Sequence, residues 1–203
     1  MKKWLNAPAL LLIDIQKGFD NVEYYGGERN NPQAEENAGL ILEFWRKNRW
    51  PLFHIRHDSV NRRSPLAFGQ VGNAHKDEVK PLPGEPVITK NVNSAFIGTD
   101  LKERLDALGI RNLVIVGLTT QHCVSTTTRM AGNFGYDTIV VSDATAAFRA
   151  RGINGEVFPA QMVHEVSLAT LNGEFAEVIS SEDVLRTGVV GATNIGLSGF
   201  PQD

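Results

Sequence analysis

The 203-residue chain reads as an α/β protein whose parallel sheet is covered by helices on both faces. Three observations carry that expectation. Short apolar runs rich in Val, Ile and Leu alternate with longer stretches in which hydrophobic residues recur at helical spacing. Two of the runs end on a charged residue, Asp14 and Lys90, and a third leads through a polar turn to Cys123. Sites in such sheets lie beyond the carboxyl ends of the strands, so these three groups are expected to converge on one edge.

The first strand is residues 9–13, an unbroken apolar run that stops at Asp14. Residues 31–48 form the first helix, with Ala34, Ala38, Leu42 and Trp45 on one stripe and Ile41 and Phe44 widening it. A second strand at 51–55 ends in the polar cluster Arg56, His57 and Asp58. From 59 to 83 no period is sustained, and Pro65, Gly69, Gly72, Pro81 and Pro83 interrupt the chain; so long an excursion is usually functional or a lid. The third strand, 87–89, delivers Lys90, and Leu101, Leu105 and Leu108 mark a helix that stops at Gly109. Strand four, 113–116, is bounded by Gly117, and strand five, 138–141, runs into Ser142, Asp143 and Ala144. A helix at 156–171 is expected to turn Val157, Met162, Val166 and Ala169 toward the sheet, before a last strand at 175–179. Ser180, with Asp183 three residues on, resembles a capping box opening a short helix to Arg186. The glycine-rich stretch 187–203 has no period and is expected to be an arm, disordered alone or packed on a neighbouring subunit, which leaves 1–186 as a single domain.

At 42% hydrophobic and 21% charged residues the composition is that of an ordinary soluble globular protein. A net charge of -3 gives no general attraction to nucleic acid or an acidic membrane, so the expected partner is a small molecule. One cysteine cannot close an internal disulfide, which suits a reducing compartment. The opening MKKWLNAPALLLID imitates a secretory signal, but Pro8 precedes the apolar run and Asp14 ends it too soon for a signal core or a membrane span. The expected location is the cytoplasm.

The single cysteine occupies the most informative stretch. Thr119, Thr120, Gln121 and His122 are poor strand formers after Gly117, and Val124, Thr127 or Thr128, Ala131 and Gly135 then follow helical spacing. Cys123 therefore falls near the first turn of a helix. Unpaired amides and the positive end of the helix dipole favour a thiolate there, and the same amides can hold a developing oxyanion. A lone cysteine is elsewhere more often a small buried hydrophobe; strand, turn and helix around this one favour the reactive reading.

LLLIDIQKGF, VITKNVNSAFIGTDL, VIVGLTTQHCVSTTTRMAGNFGY and VVSDATAAF together resemble the isochorismatase-like cysteine hydrolase superfamily, which includes nicotinamidases, N-carbamoylsarcosine amidohydrolase and ureidoacrylate hydrolases. The resemblance extends to about Leu185. It implies a three-layer α/β/α fold with a six-stranded parallel sheet in Rossmann-like strand order, assembled as dimers or tetramers. It also implies a catalytic set of Asp14, Lys90 and Cys123, a cis peptide between Leu118 and Thr119, and no cofactor. Two departures refine this. Members that hydrolyse the vinyl ether of isochorismate generally lack the cysteine kept here. Nicotinamidases carry a metal-binding Asp-Trp-His stretch after the second strand, where this chain has Arg56, His57, Asp58 and Ser59, so no metal is expected.

Other polar and aromatic residues have two readings each. His54 and His57 alternate faces if the strand reaches that far, which speaks against a shared metal and leaves His57 and Asp58 to orient loops or substrate. His122 diverges from Cys123 by about 100° on entering a helix, so an exposed polar role is expected rather than a Cys-His pair. Arg62 and Arg63 either bind an anionic part of the substrate, Arg63 being the candidate retained, or are solvated loop charges. Phe19 and Phe96 either wall the pocket or belong to the core.

The activity expected from these readings is hydrolysis of a carbon–nitrogen bond in a small amide, carbamoyl or ureido compound through a thioester on Cys123. Asp14 serves as base and then acid, Lys90 supplies positive charge, and the amides of Thr119 and Cys123 receive the oxyanion. The alternatives are vinyl-ether hydrolysis with Asp14 as acid and Cys123 idle, and a ligand-binding member of the fold without turnover.

Overall fold

The computed structural model describes residues 7–187; the arm expected at 187–203 lies, beyond Thr187, outside them. The strands are β1 (Ala9–Ile13), β2 (Leu52–His57), β3 (Val87–Lys90), β4 (Asn112–Leu118), β5 (Asp137–Ala146), β6 (Ala150–Arg151), β7 (Val157–Phe158) and β8 (Glu177–Ile179). The helices are α1 (Ala34–Asn48), α2 (Leu101–Ala107), α3 (Ser125–Asn133), α4 (Ala160–Ala169) and α5 (Ser181–Thr187). Six strands form one parallel sheet in the order β3-β2-β1-β4-β5-β8, while β6 and β7 pair as a separate antiparallel hairpin. This is the Rossmann-like order, and it reverses between β1 and β4. A ligand crevice belongs at that reversal.

Every residue of β1 is buried because both faces of the sheet are covered. Leu11 and Ile13 share one core with Leu101 and Leu105 of α2, Ala131 of α3 and Leu168 of α4. Leu10 and Leu12 face the other core, with Ala38, Ile41, Leu42 and Trp45 of α1 and Val184 of α5. The Trp45 indole, fully buried, donates to the Pro8 carbonyl at 3.1 Å, so its one polar atom is satisfied.

Several boundaries differ from those read in the sequence. β2 continues to His57 because β3 pairs with it as far as His57 and Lys90. β4 runs through Gly117 and does not stop there: Gly117 sits opposite Ile13 with φ 129°, and a Cβ would run into the Ile13 backbone. Only glycine lets β1 and β4 approach so closely at that rung. Leu108 is exposed, since α2 ends one residue earlier. α4 starts at Ala160, behind Pro159, and residues 157–158 are spent on the hairpin. Its inward residues are Ala160, His164 and Leu168; Val157, Met162, Val166 and Ala169 all face outward, opposite to expectation. The capping box is present, with the Asp183 amide donating to Ser180 Oγ at 3.1 Å.

The segment 59–83 is tied to the chain leaving β1. Lys17 donates its backbone amide to the Ala74 carbonyl at 2.8 Å, and Lys76 does the same to Ile15 at 3.0 Å. Gln16, fully buried, locks the end of β2, accepting from the His57 amide at 2.8 Å and donating to the His57 carbonyl at 3.1 Å.

Candidate active site

The chain leaves β1 through Asp14 in the left-handed region, φ 51°, which aspartate tolerates better than most residues. Its fully buried carboxylate accepts from Lys90 Nζ at 2.6 Å. Lys90 closes β3, and His57, which closes the intervening β2, brings Nδ1 to 3.1 Å from the same ammonium. A third bond goes to the Val92 carbonyl at 3.1 Å, so the three ammonium protons have three acceptors. An ammonium only donates, which leaves Nδ1 of His57 as the acceptor and places the ring proton on Nε2.

From the other side β4 delivers the nucleophile. The Leu118–Thr119 peptide is cis, and Thr120–Val124 winds as a single wide π-type turn before α3 begins at Ser125. Cys123 Sγ, an Asp14 carboxylate oxygen and a His57 ring nitrogen all lie within 4.8 Å of one another. Lys90 occupies one carboxylate oxygen; the other, Oδ1, is buried with no hydrogen-bond partner among the described residues and is left to take a proton.

The electrostatics correct one expectation. Burial pushes the Cys123 thiol well above its usual range, and the charge of Asp14 pushes it further than Lys90 draws it back. Burial likewise raises the Asp14 carboxyl against the opposing pull of Lys90. Both shifts run against the thiolate that a helix start alone would favour, and the Lys90 ammonium beside the Cys123–Asp14 pair stabilises whichever partner carries the negative charge. Burial and then Lys90 lower the His57 imidazole, which keeps it neutral.

Asp14, His57 and Cys123 offer oxygen, nitrogen and sulfur at distances a metal ion could use, but the set does not fit one. Lys90 already donates to Asp14 and His57, and a divalent ion there would face a buried ammonium. Asp58 is also committed, to Arg56 at 3.2 Å and Asn73 at 2.9 Å.

Above Cys123 opens a cavity of about 530 Å³. Phe19, Tyr24, Tyr25 and Phe148 line it, with Phe19 packed on Tyr25 at 4.8 Å and on Phe148 at 6.1 Å between ring centres. Ser59, Asn61 and Ser64 bring the long excursion into the wall. Gln121 Oε1 is buried there without a partner among the described residues, leaving it free for a ligand, and the Tyr25 hydroxyl sits beside Ser64 in the same wall. A larger hollow, about 840 Å³, opens at the amino end of β2 and has neither a thiol nor the Asp–Lys pair.

The expected site residues divide accordingly. Asp14, Lys90, Cys123, Thr119 and His57 come together, and Phe19 forms wall. Phe96 does not: its ring packs against Phe134 at 5.4 Å and Tyr136 at 6.0 Å in the core. Arg63 is exposed and absent from the wall, although Asn61 and Ser64 on either side of it contribute. His122 is exposed at the cavity and bonds Thr119 Oγ1 through Nδ1 at 3.1 Å, not the thiol. His54 points away and meets Glu85 at 2.9 Å. Tyr25, Gln121 and Phe148 were missed; Gln121 lies within the VIVGLTTQHC stretch and Phe148 closes VVSDATAAF, while Tyr25 carried no sequence signal.

Residues 8–183 match the family model of the Isochorismatase domain. The chain belongs to the isochorismatase family. It is 49% identical over 178 residues to YrdC, an uncharacterized isochorismatase family protein of Bacillus subtilis, covering 88% of this chain and 94% of that protein. A ureidoacrylate amidohydrolase, RutB, of Rhizobium rhizogenes is 40% identical over 148 residues, 71% of this chain and 55% of its own length. A crystal structure from Chromobacterium violaceum, assigned to a hydrolase of the isochorismatase family, superposes with a TM-score of 0.87 at 44% identity, covering 92% of this chain and 95% of that one. This chain is accordingly an isochorismatase-family hydrolase. Among the described residues no helix is long and apolar enough to cross a membrane.

Proposed function

We propose that this isochorismatase-family chain hydrolyses a carbon–nitrogen bond of a small amide, carbamoyl or ureido compound through a thioester on Cys123. The observation that supports it most is the cluster of Cys123, Asp14 and Lys90, in which Cys123 lines an aromatic-walled cavity and the Asp14–Lys90 pair is buried behind it. Asp14 takes the thiol proton as sulfur attacks the carbonyl carbon, and the carbonyl electrons move to oxygen, held by the amides of Thr119 and Cys123. Collapse breaks the carbon–nitrogen bond while Asp14 returns its proton to the leaving nitrogen. Water then gives a proton to Asp14 and attacks the thioester; thiolate departs and recovers that proton. The Lys90 ammonium, bonded to Asp14 at 2.6 Å, offsets whichever partner is the anion.

The raised Asp14 carboxyl also favours a second reading, in which it protonates a vinyl ether and Cys123 is idle. Ammonia release from a panel of amides and ureas, and hydrolysis of a vinyl ether, each repeated with Cys123→Ala, separate the two. Ammonia release lost in the variant supports the thioester route; vinyl-ether cleavage that the variant retains, with no ammonia released by wild type, supports the acid route.

A further inference from the structure

Thr120 opens the turn that carries Cys123, and it is fully buried. Its hydroxyl meets His164 Nδ1 at 2.9 Å. His164 is 4% exposed and lies on the inward face of α4 between Ala160 and Leu168, where an apolar side chain would normally pack. On its far side the ring bonds the Ser142 backbone, and Asn31 Nδ2, 3.3 Å from Nε2, donates its two protons to the carbonyls of Ser142 at 3.0 Å and Thr145 at 2.8 Å. A polar chain thus runs from Ser142 of β5 through His164 into the turn, with Asn31 bracing the Ser142 carbonyl. A buried imidazole is costly unless hydrogen-bonded, and this one meets the turn at a single atom.

We propose that His164 is a positioning residue for the reactive turn, acting through Thr120 to hold the Thr119 amide and the Cys123 thiol in register with Asp14. This rests on the reading of that turn as the reactive one. The imidazole does not line the cavity. The bond runs through Nδ1, so the identity of the atom matters. The terminal group of asparagine falls near the position of Nδ1, and that of glutamine near Nε2, so asparagine substitutes and glutamine does not.

The test compares kcat and KM of His164→Leu, His164→Asn, His164→Gln, Thr120→Val and the double variant His164→Leu/Thr120→Val on an amide identified by ammonia release. The alkylation rate of Cys123 by iodoacetamide, which needs no substrate, is measured beside them. His164→Leu and Thr120→Val should each lower kcat by about 10- to 100-fold, as expected of a misplaced reacting group, with KM little changed. The double variant should be no worse than either single one, because both remove the same interaction. His164→Asn should recover most of kcat, His164→Gln little, and alkylation should slow in parallel. Additive losses, or wild-type kcat and alkylation in Thr120→Val, overturn the proposal even if His164→Leu does not fold. If wild type releases ammonia from no amide while alkylation still depends on both residues non-additively, the hydrolase reading falls and the positioning role stands.

Discussion

Replacing Lys90 by methionine tests the electrostatics of the site. The ammonium is fully buried and supplies all three of its protons, to Asp14, His57 and Val92. Methionine fills similar volume but leaves the Asp14 carboxylate buried and alone. Breaking a buried pair this way costs about 3 to 5 kcal/mol when the remaining charge persists. For a chain of this size that lowers Tm by roughly 10 °C. The cost depends on pH, and its sign follows from the carboxyl. Asp14 already has its carboxyl raised by burial, and removing Lys90 raises it further. A carboxyl raised in the fold destabilises it as pH climbs above the unfolded value, and the penalty levels off above the folded one. The Tm difference between Lys90→Met and wild type should therefore be small at pH 4 and large at pH 8, read by circular dichroism. The acid limb of kcat/KM, set by ionisation of Asp14, should also move to higher pH. Equal Tm differences at both pH values, with an unmoved limb, would refute the argument.

Gly117→Ala should cost on the order of 3 kcal/mol, since it adds positive-φ strain to overlap with the Ile13 backbone; urea unfolding measures it. His75, lowered to about 4 first by burial and then by His54, stabilises the fold fully above its ordinary value of 6.5. That contribution should be lost as pH falls from 6.5 toward 4, and His75→Gln should flatten the Tm profile in that window. EDTA should leave hydrolysis unchanged, because a divalent ion beside Asp14 and His57 would face the buried Lys90 ammonium that already bonds both; loss on chelation with recovery on adding zinc would contradict this.

Much of this fold was legible because a parallel sheet buries its strands whole. The run 9–13 needed no alternation to be recognised, and Asp14 and Lys90 stood out as charges where such runs end. The elbow was legible from a glycine, a polar turn and a helical stripe around one cysteine. α4 was not. Its apolar residues Met162 and Val166 face outward and its buried face is built on His164, so the hydrophobic pattern pointed to the wrong side. Phe96 and Arg63 follow sites in the chain that do not follow them in space, since cavity walls come from loops whose path no periodicity describes. The charge state of Cys123 was illegible for another reason. A helix start favours a thiolate, but the opposing burial and the nearness of Asp14 exist only once the strands are assembled.

The central claim is covalent, and intact-protein mass spectrometry during turnover addresses it most directly. With a substrate found by ammonia release, wild type quenched in the steady state should carry the mass of the acyl group on Cys123, and Asp14→Asn should turn over almost as poorly as Cys123→Ala, because asparagine can neither take nor return the proton. Cys123→Ala should carry no adduct and release no ammonia while still binding substrate. An alanine variant that hydrolyses the amide at the wild-type rate, with no adduct trapped on either protein, would contradict the account and leave the cysteine a structural residue.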